Sequence, residues 1–158
     1  MKTIIVTGTP GTGKTQLARA IAKKLNFIYL DLSKFIKENK LNESYDKKRD
    51  CYIVNTKKLN KKLIEFIKTK NLNLVIDSHL SHYLPGKYVN LCIVTKCSLK
   101  TLKQRLKKRK YSENKIRENL DCEILDLILN EALEKKHNIL VIESTRKIPF
   151  KKIKESVW

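Results

Sequence analysis

A glycine-rich motif at positions 8–15 is the stretch of the chain best equipped for chemistry. The eight residues Gly-Thr-Pro-Gly-Thr-Gly-Lys-Thr fit the pattern G-x-x-x-x-G-K-[ST] without a gap. Glycines in such a loop let successive backbone N–H groups converge on phosphate oxygens, and the following helix adds the positive end of its dipole. The Lys14 side chain can reach β- and γ-phosphates, and the Thr15 hydroxyl can ligate Mg²⁺. The motif therefore predicts a site for a nucleoside triphosphate.

The residues flanking this motif distinguish a nucleotide site from an ordinary strand–turn–helix junction. A short β-branched run, Lys2–Thr7, precedes the motif, and apolar residues follow it at helical spacing from Leu17 to Leu25. Strand, loop and helix in this order are the context that gives the motif its meaning. Three of the four glycines in the chain also lie within the motif. Both observations favour the nucleotide site.

A second group of polar side chains follows the run Leu72–Asp77, which predicts a buried strand ending in an acid. Ligands of parallel sheets bind beyond the carboxyl ends of the strands, so we expect Asp77 to share Mg²⁺ with Thr15. The alternative is a plain aspartate at a strand end. His79 and His82 have the H-x-x-H spacing of a metal-binding pair, but no third ligand is evident. A histidine near a phosphate site more often donates a hydrogen bond or orients water.

The segment 96–117 carries the most one-sided charge of the chain. It contains ten basic residues and one acid, Glu113. Ser98 can cap a helix with the apolar stripe Leu99, Leu102 and Leu106, and the helix is expected to end before Lys110-Tyr111. Arginines of such a segment, brought over a triphosphate, would stabilise charge on the transferring phosphoryl group. The alternative is a solvated basic helix. The ten basic residues are Lys96, Lys100, Lys103, Arg105, Lys107, Lys108, Arg109, Lys110, Lys115 and Arg117.

The overall composition is that of a globular protein with an unusually high positive charge. The chain has 158 residues, 41% hydrophobic content and a formal net charge of +19. This charge suits polyanionic partners such as nucleotides or RNA, although a generally lysine-rich composition would also produce it. Four scattered cysteines without a C-x-x-C pair argue against zinc and disulfides. Neither a membrane span nor a signal peptide is evident, so we expect a cytoplasmic protein.

Strand and helix patterns alternate along the chain and predict a parallel α/β sheet with helices on both faces. Strands are predicted at Lys2–Thr7, Phe27–Leu30, Leu72–Asp77, Tyr88–Val94 and Asn138–Ile142. Helices are predicted after the glycine-rich loop, from Asp31, from an N-cap at Thr56, after Ser98, as one long helix from Ser112 to about Ile128, and after Pro149. The polar segment 39–52 has no sustained period and predicts a mobile loop. We therefore expect one domain, 1–158, with two mobile pieces, 31–55 and 105–115.

Several classes of phosphate-binding protein lack support in the sequence. A GTPase needs an N-K-x-D motif after a strand, and none is present. A shikimate-type kinase would have acidic residues and a glycine pair around its acceptor, and a helicase or recombinase motor needs a longer chain. A small ATP-dependent phosphotransferase remains, with an acceptor-binding insert and a short lid.

The chain resembles the small archaeal and nuclear adenylate kinases that also hydrolyse ATP and help to mature the small ribosomal subunit. The match extends over most of the chain and is most specific at Asp77-Ser78-His79 and at Lys115-Ile116-Arg117-Glu118-Asn119 with Cys122-Glu123-Ile124. The remaining matching segments are Gly8–Thr15, Tyr45-Asp46-Lys47-Lys48-Arg49-Asp50-Cys51, and Arg105 through Arg109-Lys110-Tyr111. The resemblance implies a P-loop fold of the nucleoside monophosphate kinase type.

The resemblance also implies roles for individual residues. Residues near 30–53 would bind the monophosphate, and 105–115 would form the lid. Asp77 would coordinate Mg²⁺ through water, with Thr15 as the other metal-binding residue, and His79 would support hydrolysis. ATP would contact Gly11, Gly13, Lys14, Thr15, Gln16 and Arg109. The predicted catalytic residues are Lys14, Asp77, His79 and Arg109.

The expected activity is transfer of the ATP γ-phosphoryl group to AMP, with ATPase activity beside it. Ordinary adenylate kinases have a larger lid, so a short lid would exclude water less completely and let it compete with the acceptor. The alternative is an ATPase assembly factor that binds a small-subunit ribosomal protein and rRNA. Two departures from the family pattern bear on this expectation: Lys110 replaces a common lid glycine, which could stiffen or reorient the lid, and Asn55 replaces a frequent acid near the acceptor region.

Overall fold

A parallel sheet lies at the centre of the fold and confirms the predicted α/β class. The computed structural model describes residues 1–49 and 51–158. The strands of this part of the chain are β1 (Thr3–Thr7), β2 (Ile28–Asp31), β3 (Asn42–Asp46), β4 (Cys51–Val54), β5 (Leu74–Asp77), β6 (Leu91–Lys96) and β7 (Ile139–Glu143). Five of them pair in the order β2-β5-β1-β6-β7, all parallel, while β3 and β4 form a separate antiparallel hairpin.

The helices cover both faces of the five-stranded sheet. They are α1 (Lys14–Leu25), α2 (Leu32–Glu38), α3 (Thr56–Lys70), α4 (Leu99–Lys108), α5 (Glu113–Ile124), α6 (Leu127–Glu134) and α7 (Phe150–Val157). One face of the sheet packs against α1 and α7, and the other packs against α2, α3 and α6. Neither these helices nor any other in the described ranges has the length and apolar character needed to cross a membrane.

A third, smaller core joins α4 to α5. Leu102, Leu106 and Ile116 are buried together with Cys97, and Tyr111 packs against them from the turn between the two helices. The side chain of Ser98 caps α4 as predicted, accepting a hydrogen bond from Thr101 N. This core makes the α4–α5 pair a unit of its own beside the carboxyl ends of the central strands.

The segment 39–52 was expected to be an irregular loop, and this prediction is wrong for its described residues. They contain β3 and the start of β4. Both strands are mostly exposed, so their sequences lack the alternating apolar pattern by which half-buried strands are recognised. Tyr45 and Tyr52 pair edge to face across the hairpin with ring centroids 5.0 Å apart. Asp50 of the family-like stretch lies outside the described residues.

The long helix predicted from Ser112 to about Ile128 is two helices. α5 ends at Ile124 and α6 begins at Leu127, with Asp126 between them at a left-handed φ of 51°. The apolar stripe is misleading here because Ile124 and Leu127 are exposed. At the break between the two helices, the Asp126 carboxylate forms an ion pair with the ammonium group of Lys96 at the end of β6.

Smaller differences concern element boundaries. The N-cap of α3 is Asn55 rather than Thr56, and its side chain accepts hydrogen bonds from the backbone N–H groups of Lys57 and Lys58. Asparagine and aspartate cap helices equally well, so Asn55 keeps the capping function that an acid would have there. The strand predicted at Tyr88–Val94 begins only at Leu91, because Gly86–Tyr88 form a short 3₁₀ turn.

Candidate active site

The glycine-rich loop follows β1 and leads directly into α1. Gly8 has φ +141° and Gly11 has φ +95°. A side chain at Gly8 would also approach Thr95 Oγ1 to 2.4 Å, and one at Gly11 would approach Leu102 Cδ1 to 2.9 Å. Glycine is therefore required at both positions for conformation and for space.

Lys14, the first residue of α1, has its side chain folded back against the glycine-rich loop. Its Nζ donates a hydrogen bond to Thr9 O at 3.0 Å. Burial lowers the pKa of Lys14 to about 8, and the Asp77 carboxylate opposes this shift. At pH 7 Lys14 is thus charged, but it loses its proton far more readily than a surface lysine does.

Thr15 and Asp77, which the sequence predicts as a metal-binding pair, meet at the floor of the site. Thr15 Oγ1 donates a hydrogen bond to Asp77 Oδ2 at 2.6 Å. The register explains the encounter, because Asp77 ends β5 beside Val6 of β1, just before the loop. Hydroxyl and carboxylate oxygens are the ligand types that Mg²⁺ prefers, and the ion keeps several waters. The donor set therefore fits Mg²⁺.

The two histidines after β5 have different environments. His79 lines the cleft and is open to it, whereas His82 is buried between Thr7 Oγ1 at 3.1 Å and Glu131 Oε2 at 2.9 Å. No group of three or more His, Cys, Asp or Glu side chains suited to a metal occurs in the described residues. Both ring nitrogens of His82 are hydrogen-bonded to protein side chains, so the His82 ring is not free to bind a metal together with His79. Desolvation by the cleft walls, with the charge of Lys14, lowers the pKa of His79 to about 4, so His79 is neutral at pH 7.

The turn between α4 and α5 brings basic side chains to the cleft. Arg109 follows the last residue of α4 and lines the cleft together with Lys108 and Tyr111. Arg105 instead binds the loop itself, since its Nη1 donates to Gly11 O at 3.2 Å. Lys110 has φ 57°, a left-handed conformation that glycine adopts without strain. This explains why a glycine suits the position that Lys110 occupies.

One cleft of about 1100 Å³ unites these groups. Its walls carry seven Lys or Arg side chains against three Asp or Glu side chains, so the cleft suits a polyanion. Another part of the wall is formed by Asp31, Ser33, Arg49 and Cys51, from the β2–α2 junction and the β3–β4 hairpin. All the site residues predicted from the sequence line this cleft: Gly11, Gly13, Lys14, Thr15, Gln16, Asp77, His79 and Arg109.

Two residues at the site had no role in the sequence interpretation. Tyr29 of β2 donates a hydrogen bond to Asp77 Oδ2 at 2.9 Å, and burial together with this bond raises the pKa of Tyr29 to about 12. Glu123 of α5 is buried and accepts a hydrogen bond from Thr9 Oγ1 at 2.7 Å, while its other oxygen has no partner. Glu123 lies in the specific C-E-I signature, and this was the only signal in the sequence that pointed to it.

Comparisons with known proteins agree with this geometry. A protein-family model described as an AAA domain matches residues 4–126 of this chain. An adenylate kinase isoenzyme 6 homolog from Dictyostelium discoideum is 39% identical over 140 residues, which cover 89% of this chain and 79% of that protein. The chain belongs to the adenylate kinase isoenzyme 6 family. A homolog of the same name from Caenorhabditis elegans is 36% identical over 83% of this chain and 72% of its own length. A relative from Pyrococcus furiosus, which also carries an adenylate kinase name, is 38% identical over 96% and 80%.

Solved structures extend the likeness to the fold of other small kinases. A shikimate kinase from Acinetobacter baumannii, solved with shikimate, has a TM-score of 0.62 at 15% identity over 98% of this chain and 89% of that one. A shikimate kinase from Bacteroides thetaiotaomicron has a TM-score of 0.55 at 22% identity over 98% and 93%. At these identities the likeness concerns the fold alone, which is the P-loop kinase fold.

Proposed function

We propose that this protein transfers the γ-phosphoryl group of ATP to AMP or a related nucleoside monophosphate. The observation that carries the proposal is the single cleft in which the phosphate loop, the Thr15–Asp77 pair and the basic side chains of two other segments meet. In the reaction, the bond between the γ-phosphorus and the β–γ bridging oxygen breaks. A new bond forms between that phosphorus and a phosphate oxygen of the acceptor, so that ATP and AMP yield two ADP.

The donor nucleotide occupies the loop side of the cleft in this proposal. Backbone N–H groups at Gly11 and Gly13 and the ammonium group of Lys14 bind the β- and γ-phosphates, and Gln16 lies beside them at the start of α1. Thr15 and Asp77 hold Mg²⁺, which neutralises charge on the phosphate oxygens when it is bound. The positive charges are in place before the reaction and therefore need little reorganisation.

The acceptor and the lid occupy the opposite walls. Residues 30–53 bind the monophosphate, with Arg49 as a cation for its phosphate, and residues 105–115 form the lid that brings Arg109 to the transferring group. Both pieces belong to one kinase domain, 1–158. The turn between α4 and α5 is short, Arg109 to Ser112, so we expect it to cover the cleft incompletely. Water then competes with the acceptor and gives ATPase activity beside phosphoryl transfer.

His79 serves the hydrolytic branch. A neutral imidazole that is open to the cleft can accept a hydrogen bond from an attacking water, whereas a protonated one cannot. His79→Ala is therefore expected to reduce ATP hydrolysis more than transfer to AMP. Equal losses of both activities would contradict this role.

The decisive experiment measures ADP formation from Mg-ATP and AMP. Lys14→Ala is expected to abolish it, because the variant lacks the cation nearest to the phosphates. Lys23→Ala is the matched control, since Lys23 is an exposed lysine in the last turn of the same helix. Initial rates across AMP, dAMP, CMP and UMP then rank the acceptors. Activity of Lys14→Ala at the control level would refute the assignment of the site.

A second candidate function is an ATP-driven assembly factor in the cytoplasm that binds a small-subunit ribosomal protein and rRNA. It is favoured by the outer face of α4, where Lys100, Lys103 and Lys107 are all exposed. Such a face attracts polyanions without reading their sequence. An ATPase indifferent to AMP and stimulated only by such a partner would support this function over the kinase.

A further inference from the structure

Tyr29 is placed by the sheet itself beside the proposed metal site. Within the pairing of β2 and β5, Tyr29 lies opposite Val75 and Asp31 lies opposite Asp77. Alternate residues of a strand face the same side. Tyr29 and Asp77 therefore project from the same face of neighbouring strands, two residues apart, on the side covered by α1. A long side chain such as tyrosine spans this offset.

The Tyr29 hydroxyl and the Thr15 hydroxyl bind the same carboxylate oxygen. Tyr29 Oη donates to Asp77 Oδ2 at 2.9 Å, and Thr15 Oγ1 donates to it at 2.6 Å. Two donors on one oxygen fix the rotation of the carboxylate about the Cβ–Cγ bond of Asp77. Neither of these hydrogen bonds involves Oδ1. Asp77 is thereby oriented before any nucleotide arrives.

The ring of Tyr29 is fixed as well. The Arg19 guanidinium of α1 stacks over it, with Cζ 5.2 Å from the ring centroid, and the ring packs against the core between α1 and the sheet. The stacking and packing contacts belong to the ring and are retained by phenylalanine, whereas a hydrogen bond between the Tyr29 hydroxyl and the Arg19 side chain is lost with the hydroxyl. The hydroxyl can therefore be removed without removing the packing.

We propose that Tyr29 is a positioning residue that holds Asp77 in the orientation needed to bind the magnesium ion of the nucleotide. The inference rests on the proposed function, because it assumes that Thr15 and Asp77 bind this ion. Tyr29 acts through Asp77 and has no contact of its own with the reacting phosphoryl group in this proposal.

The test compares Tyr29→Phe with Tyr83→Phe. Tyr83 is the matched control because its hydroxyl also donates to a carboxylate, Glu131 Oε1 at 3.2 Å, but this carboxylate does not line the cleft, whereas that of Asp77 does. Binding of a fluorescent, non-hydrolysable ATP analogue is titrated with Mg²⁺ and repeated in EDTA, and thermal unfolding is recorded without nucleotide. Loss of an outer-shell partner commonly weakens metal binding by 10- to 100-fold, and Thr15 still holds Asp77, so we expect about a 10-fold higher Mg²⁺ midpoint for Tyr29→Phe.

Each outcome of this test has one meaning. A raised Mg²⁺ midpoint, with unchanged binding in EDTA and thermal unfolding like that of Tyr83→Phe, supports the proposal. Equal Mg²⁺ midpoints in the two variants overturn it, as does an equal loss of binding with and without Mg²⁺. If the unmutated protein binds the analogue no better with Mg²⁺ than in EDTA, the proposed metal site itself is wrong. That last result separates a failure of the proposed function from a failure of the role of Tyr29.

Discussion

The lowered pKa of Lys14 makes the capture of ATP sensitive to alkaline pH. Burial brings this pKa to about 8 in the protein without nucleotide. The ammonium form binds phosphate and the neutral amine does not. For a pKa of 8, the protonated fraction falls about tenfold between pH 7 and pH 9, and kcat/KM reports groups of the free enzyme. We therefore expect kcat/KM for ATP to fall about tenfold across this range.

The assay is the initial rate of ADP formation at low ATP, saturating AMP and constant free Mg²⁺. Phosphate groups lose their second proton near pH 6, so the nucleotides change little above pH 7. Bound phosphates favour the charged form of Lys14, so kcat should fall less than kcat/KM. Cys51 is an exposed cysteine on the cleft wall, so the profile is repeated with Cys51→Ser as a control.

The control for this assignment is Lys14→Arg. Arginine stays charged throughout the range, so the variant should lose the alkaline limb near pH 8 even if its rate is lower. Two results would refute the reasoning. One is a flat profile to pH 9 for the unmutated protein, and the other is an identical limb in Lys14→Arg.

Three further predictions concern the surroundings of this lysine. Glu123→Gln should move the alkaline limb to lower pH, because the Glu123 charge raises the pKa of Lys14; an unmoved limb would contradict this. Gly11→Ala should lower the free energy of unfolding by about 2–4 kcal/mol through backbone strain and the clash with Leu102, as measured by denaturant titration. Lys110→Gly should raise the free energy of unfolding by about 0.5–1 kcal/mol, because relief of the left-handed backbone strain at this position exceeds the entropy cost of glycine. A lower thermal midpoint for Lys110→Gly would show that the lysine side chain has a stabilising contact.

Local patterns were sufficient for the parts of the site that lie close together in the sequence. The motif at 8–15 and the apolar strand before Asp77 each carry their signal within a few residues. The loop follows β1, and Asp77 is the last residue of β5. Both therefore lie at the carboxyl ends of central parallel strands, where ligands of such sheets bind. Thr15 and Asp77 were therefore predictable as a pair, although 62 positions separate them.

Other features depend on contacts that no local pattern encodes. The role of Tyr29 depends on β2 pairing with β5, and strand order cannot be derived from the periodicity of either strand. The Thr9–Glu123 bond joins residues 114 positions apart. The β3–β4 hairpin was missed because its strands bury little apolar surface. The break before α6 was missed because the exposed residues Ile124 and Leu127 follow the spacing of a buried stripe.

The α4–α5 pair connects the lid to the phosphate loop in a way that bears on the short lid. Leu102 packs where a side chain on Gly11 would be, Arg105 binds Gly11 O, and Glu123 binds Thr9. These contacts come from both helices and lie on either side of the turn that carries Arg109. We therefore expect a movement of the loop to reach the turn that carries Arg109 through these packed side chains and hydrogen bonds.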